Sequence, residues 1–223
     1  MDCQALLKGV SLYQKLSGFD ISYKKYVLDR RQIWENLDII AEDDVKGTAI
    51  EFLKAWKIRN VSRIDSRKLK EILRELSRLF KALHDKRLMD IKFEEINTNC
   101  QGKKNAEIIK EIYAGLVCEE MKGIGPTSAS KIMHCVIPEL FVMWDNSIRN
   151  GYGYANNEIG YLRFMREMQR ILRRIMETYD KTPEELCHEA YPDMNKTPAK
   201  LLDEFNYMKF AKGKDLPNPI EES

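Results

Sequence analysis

No apolar run in this sequence approaches the roughly 18 residues that a membrane-spanning helix needs. The N-terminal stretch MDCQALLKGVSLYQKLSGFD lacks the basic start and apolar core of a signal peptide. The chain therefore reads as cytoplasmic, with no membrane partner. Cysteine is sparse and scattered: the five residues Cys3, Cys100, Cys118, Cys135 and Cys187 are odd in number and form no C-x-x-C pair. That spacing argues against a disulfide framework, a zinc ribbon or a cysteine-rich cluster loop, and leaves buried or idle thiols. His, Cys and carboxylates show no metal-ligand spacing, so no metal site is expected. A large excess of one charge is also missing. With a net charge of +2, the molecule is no polycation, and any attraction to nucleic acid must come from local patches. Strand-like alternation is scarce, and neither repeats nor low-complexity tracts occur.

Helical periodicity is abundant. From about Ser66 to His84, Leu69, Ile72, Leu73, Leu76, Leu79, Phe80 and Leu83 form one apolar stripe, with Asp65 or Ser66 as N-cap. From about Glu158 to Tyr179, Tyr161, Phe164, Met165, Met168, Leu172, Ile175 and Met176 do the same. Two later helices open with a threonine cap and proline in the first turn, Thr182-Pro183-Glu184-Glu185 and Thr197-Pro198-Ala199-Lys200; the first reads as a capping box. Further helices are expected near 3–16, 24–40, 47–57 and 104–121, and a frayed tail from Lys212 to Ser223. The stretch 150–157 is the most loop-like.

The informative segment is EIIKEIYAGLVCEEMKGIGPTSASKIMHCVIPELFVMWDNSIR. It reads as a helix at about 107–121, a tight hairpin Lys122-Gly123-Ile124-Gly125-Pro126, and a second helix at about 127–136. Gly123 and Gly125 allow backbone angles closed to other residues and let a ligand approach the main chain. Ile124 can plug the core between the helices, and Pro126 suits a first helical turn. The hairpin amides and the helix start then face a place favourable for a phosphate. Thr127, Ser128 and Ser130 add hydroxyl donors; Lys122 and Lys131 add charge. A lone G-x-G fits a ligand-free interhelical turn as well.

The whole string resembles the helix–hairpin–helix DNA glycosylase superfamily of base-excision repair, over about 45 residues. The elements that carry the resemblance are Met121-Lys122-Gly123-Ile124-Gly125, then Thr127-Ser128-Ala129-Ser130, then Trp144-Asp145-Asn146-Ser147-Ile148-Arg149. Bifunctional members place a lysine two residues after the second hairpin glycine. Thr127 stands there in this chain, and Lys131 lies one turn further along the same face. The resemblance therefore implies double-stranded DNA as partner, a nucleoid location, and monofunctional hydrolysis without a covalent lysine adduct. It also implies that such a hairpin can hold a monovalent cation through its carbonyls; no other cofactor is expected.

In that chemistry Asp145 is the catalytic candidate. A carboxylate there can stabilise the cationic sugar or activate a water. A plain N-cap explains the same residue, and the two roles are compatible. A flipped base needs an apolar slot beside it, for which Phe141, Trp144, Tyr152 and Tyr154 are candidates. Phe141 and Trp144 fit the core equally well; Tyr152 and Tyr154 are expected to be exposed. His134 reads as a buried, hydrogen-bonded histidine rather than a catalytic one.

Arg67, Lys70, Arg74, Arg78 and Lys81 form a basic stripe opposite the leucines, and Arg163, Arg166, Arg170, Arg173 and Arg174 a second. Either alone fits a solvated helix face; together with the hairpin they suggest a nucleic-acid footprint. Acidic residues gather elsewhere, away from the stripes, notably at Glu35, Asp38, Glu42, Asp43, Asp44 and Glu51. The expectation is an all-α, two-lobed protein. Residues 1–60 would pack with the C-terminal helices at 151–223, and 61–150 would hold the helix–hairpin–helix at 109–136. A non-catalytic DNA-binding protein of the same fold and a helical scaffold are the alternatives.

Overall fold

A computed structural model describes residues 1–16, 18–119 and 121–219. The fold is all-α. The helices are α1 (Cys3–Gln14), α2 (Phe19–Tyr23), α3 (Glu42–Val45), α4 (Glu51–Ala55), α5 (Ser66–Glu75) and α6 (Ser77–Leu83). They continue as α7 (Asn105–Leu116), α8 (Pro126–Val136), α9 (Asn146–Gly151), α10 (Glu158–Tyr179), α11 (Pro183–Ala190) and α12 (Pro198–Asn206). Single π turns extend α2 to Leu28, join α3 to α4 and extend α12 to Ala211. Among the described residues no strand forms; one isolated bridge pairs Ile96 with Lys104.

Side-chain caps begin the helices where short polar residues precede an apolar run. Asp65 Oδ1 accepts from Arg67 N and Lys68 N, at 2.9 and 3.2 Å, so Asp65 rather than Ser66 caps α5. Thr182 and Glu185 complete the capping box of α11: Glu185 N donates to Thr182 Oγ1 at 3.2 Å, and Thr182 N to Glu185 Oε2 at 2.7 Å. Thr197 caps α12 and also donates from Oγ1 to Pro138 O at 2.7 Å, tying that helix to the turn that follows α8.

Three expected helices differ. The helix from Ser66 to His84 is two, turning at Leu76, where ψ relaxes to −5°. Leu76 packs on Gly115 of α7 so closely that a Cβ there would stand 2.9 Å from Leu76 Cδ2. The helix at 24–40 is instead a π turn followed by a 3₁₀ stretch, Arg31–Ile39, interrupted at Asn36 (φ −124°, ψ 60°). The helix before the hairpin stops at Leu116, five residues early, so the connection to α8 is longer than a tight turn.

The chain's two ends pack together, α1 lying along α12, while α10 lies along α7. The buried side chains join into one continuous cluster. The tail is not loose up to Pro219: Leu216 is buried, and its carbonyl accepts from Lys209 Nζ. The last expected tail residues, 220–223, lie outside the described residues. No described helix is long and apolar enough to cross a membrane.

Candidate nucleic-acid interface and the buried site behind it

The connection between α7 and α8 is shaped by its two glycines in different ways. Ile124 N donates to Met121 O at 3.2 Å, closing a turn whose third residue, Gly123, has φ +97°. A Cβ at Gly123 would meet Asn60 O at 2.9 Å and Ile64, because the 60–64 segment lies against the turn. Met121 and Ile124 plug the core. Gly125 is extended (φ −101°, ψ −177°), precedes Pro126 at the start of α8, and has nothing within 4 Å of a built Cβ. The open side of the hairpin is therefore at Gly125, with half-buried Thr127 beside it and exposed Lys122 before it. The first amides of a helix have no intrahelical partner and favour an anion.

Ser128 and Lys131 do not belong to that surface. Ser128 is 2% exposed and Lys131 7%. Both lie on the inward side of α8, which packs against α7 and the 3₁₀ stretch Arg31–Ile39 and is buried from Ser128 to Val136. Lys131 Nζ stands 4.2 Å from the centre of the Trp56 ring and 3.9 Å from Met143 Sδ. Among the described residues no carboxylate pairs with it. Burial pushes its pKa down; the charges of Asp203 and Asp145 act against that, and the charge of Lys200 adds to it.

Behind α8 runs an extended segment, 141–145, whose polar backbone atoms are held from several sides. His134 Nδ1 donates to Phe141 O at 2.5 Å, and Tyr161 Oη donates to Val142 O at 3.0 Å. Ser130 Oγ accepts from Trp144 N at 3.2 Å. Satisfying these buried groups fixes the segment's path. It delivers Asp145 to the N-cap of α9, where Oδ1 accepts from Ile148 N at 2.9 Å. Asp145 is half-buried. The second carboxylate oxygen retains its own acceptor capacity.

The four aromatic candidates do not form an open slot beside Asp145. Phe141 and Trp144 are core: Trp144 packs edge-on to Tyr113 and Tyr161 and beside Phe164, and Phe141 edge-on to Phe80. Tyr152 is buried as well, donating from Oη to Asn206 Oδ1 at 2.8 Å and touching Phe210. Tyr154 stacks on Tyr152 and is half-buried. The aromatic ring beside Lys131 is another, Trp56. Half-buried Phe19, Trp56 and Tyr207 form a chain of edge contacts, with Phe19 5.4 Å from Trp56 and 6.1 Å from Tyr207. They come from three distant parts of the sequence.

The basic stripes are partly engaged. Arg74 donates to Ile40 O at 2.9 Å, and Arg67 approaches Glu42 at 4.0 Å. Arg78 and Lys81 line a groove of about 700 Å³ together with Glu35 and Asp38. Lys70 is half-buried. The acidic segment thus packs beside the first stripe instead of away from it. On α10, Arg173 donates to Met89 O at 3.0 and 2.8 Å and Arg166 pairs with Glu94, pinning the loop before α7.

A feature missed in sequence is a buried ionic cluster under α1. Lys196 bonds Asp20 at 2.6 Å and Glu204 at 2.7 Å; Lys200 bonds Asp203 at 2.7 Å; Tyr191 Oη donates to Glu204 at 2.6 Å. His134 sits beside it as a structural group. Its Nδ1–H is committed to Phe141 O, so Nε2 accepts from Tyr23 Oη at 2.9 Å, and burial pushes its pKa down to about 4. Among the described residues no metal-ligating group of three or more side chains lies together. Comparison with protein-family models, curated proteins and solved structures finds no match to this chain.

Proposed function

We propose that this all-α chain is a nucleic-acid-binding protein that takes the phosphates of double-stranded DNA at the open side of the α7–α8 connection. More particularly, it is a monofunctional N-glycosylase for a flipped, damaged or mispaired base. One observation carries the reading. The helix with the open Gly125 at its start also holds, through Ser130, the segment that presents Asp145. Phosphate contact and carboxylate are thereby fixed relative to each other, as positioned catalysis requires. In the reaction Asp145 stabilises the cationic sugar and takes a proton from water. The water oxygen bonds to C1′, and the base leaves with the glycosidic electron pair.

A second reading is favoured by Lys131. An amine whose pKa is lowered by burial is a better nucleophile near neutral pH, and such an amine could form an imine with the sugar aldehyde. We hold to hydrolysis because the Lys131 ammonium lies inside, against Trp56 and Met143, rather than at the open position of Thr127. Borohydride treatment of the protein with lesion-bearing duplex should then trap no adduct. A trapped adduct that disappears in Lys131→Ala would establish the second reading.

The binding claim is tested with Gly125→Asp. The backbone at 125 suits any residue and a side chain meets open space, so the variant should fold. It should lose at least about tenfold in duplex affinity, because a carboxylate would stand where the phosphate sits. Wild-type affinity should also fall steeply with salt. Equal affinity in a folded Gly125→Asp protein would remove the hairpin from the interface.

A further inference from the structure

Two hydrogen-bond donors at the Trp56–Lys131 contact have no proper acceptor among the described residues. The Trp56 Nε1 atom is buried and meets no partner among them. The Lys131 ammonium, directly over the same ring, meets only a thioether, which is a weak acceptor. Buried donors in folded proteins are nearly always paired, so an unpaired one calls for an acceptor from outside the chain. A second ammonium, that of Lys200, stands 4.6 Å from the centre of the same indole, already held by Asp203. Half-buried Phe19 packs edge-on against Trp56, and half-buried Tyr207 against Phe19 in turn. The backbone next to Trp56 is held in an unusual form: Lys57 and Asn60 both have positive φ (54° and 63°), and Asn60 abuts the Gly123 turn. The segment that follows the indole thus packs on the hairpin.

Resting on the function proposed above, we infer that the Trp56–Lys131 site receives a neutral planar heterocycle bearing ring carbonyls, and rejects a positively charged one. Carbonyl oxygens supply the acceptors that the indole N–H and the lysine lack. Flat aromatic side chains suit a planar ring. A cationic base would bring a third positive charge to a ring already flanked by two ammonium groups, in a place where charges are poorly screened. Among damaged bases this selects deaminated or oxidised ones over N-alkylated cations.

The test uses duplexes with one non-cleavable 2′-fluoro-arabino nucleotide carrying hypoxanthine, uracil or 8-oxoguanine, against the same duplex carrying cationic N7-methylguanine. Fluorescence anisotropy gives the affinity ratio for the full chain and for Lys131→Met and Trp56→Phe. Each variant removes one donor, Lys131→Met at similar volume and Trp56→Phe with a smaller ring, and thermal melts check that they fold. The wild type should prefer the best carbonyl-bearing duplex by at least about tenfold, and each variant should lose about tenfold of that ratio, as expected for one buried hydrogen bond to a charged or indole donor. A ratio near one, a ratio favouring N7-methylguanine, or a ratio unchanged in both variants overturns the inference while leaving DNA binding intact. If no duplex binds, it is the proposed function that fails. Free hypoxanthine titrated against tryptophan emission, with Trp56→Phe as blank, then decides the inference: saturable quenching that needs Trp56 supports it, and none ends it.

Discussion

His134 gives a stability prediction whose size follows from its surroundings. The ring is fully enclosed, donates to Phe141 O and accepts from Tyr23 Oη, and burial pushes its pKa from 6.5 down to about 4. Between those values the unfolded chain binds a proton on this ring and the folded chain does not. Stability from this residue is therefore complete above about pH 6.5 and is lost as pH falls toward 4. At about 1.4 kcal/mol per pH unit, the loss is about 3 kcal/mol. In His134→Gln that loss should be absent. At pH 7 the variant should be less stable by about 2 kcal/mol, since Tyr23 Oη loses its acceptor and the ring its packing. Urea denaturation from pH 7 to pH 4 should show the gap between the two proteins close and then change sign near the acid end. Carboxylates titrating in the same range act on both proteins and drop out of the difference. Parallel stability curves would refute the assignment of His134 as a neutral, buried, doubly bonded ring.

The two hairpin glycines should respond oppositely to alanine. Gly123→Ala, at φ +97° and against Asn60 O, should cost about 1–3 kcal/mol in denaturation, whereas Gly125→Ala should stay within about 0.5 kcal/mol. Lys131→Met should stabilise the protein at pH 7, because it removes a buried charge with no carboxylate partner. The wild type should gain stability on the variant as pH rises from the lowered lysine pKa toward 10.5, since there only the unfolded chain holds the proton; a constant difference across alkaline pH would refute this. Glu204→Gln should cost about 3 kcal/mol, for it leaves Lys196 buried with Asp20 alone. Replacing Arg78 and Lys81 together by alanine should change DNA affinity by less than about threefold, because acidic Glu35 and Asp38 share their groove; a larger loss would put DNA on that face.

Local features were the legible ones. The caps at Asp65, Thr182 and Thr197, the apolar faces of α5 and α10 and the Gly123 turn depend on neighbours within a few residues, and the sequence displays them directly. What it could not display was which polar faces meet inside. Lys200, Asp203 and Glu204 stand at i, i+3 and i+4, the spacing of an ordinary surface pair; only the docking of α1 on α12 makes them a buried cluster. The same holds for the aromatic chain that reaches Lys131 through Trp56. Phe19, Trp56 and Tyr207 are far apart in sequence, whereas Phe141, Trp144, Tyr152 and Tyr154 are near Asp145 in sequence and were sought for that reason. Sequence proximity to Asp145 selected Phe141, Trp144 and Tyr152, which fill the core, and Tyr154, which stacks on Tyr152. Lys131 was legible as a charge on the hairpin helix, but its inward face was not: Thr127, Ser130, Lys131 and His134 share one polar face by spacing, the usual mark of an outward side, yet Ser130, Lys131 and His134 are all buried.

The claim that matters most is that Asp145 is a catalytic carboxylate and not a cap alone. Asn caps a helix nearly as well as Asp, so Asp145→Asn should melt within about 0.5 kcal/mol of wild type and keep its duplex affinity, which rests on phosphate contacts elsewhere. Single-turnover base release from a duplex carrying a lesion the wild type cleaves should then fall by about a hundredfold or more, since the neutral amide neither stabilises a cationic sugar nor takes a proton from water. Base release by Asp145→Asn at the wild-type rate would contradict the account, as would a wild type inert on every deaminated, oxidised, alkylated and mispaired base.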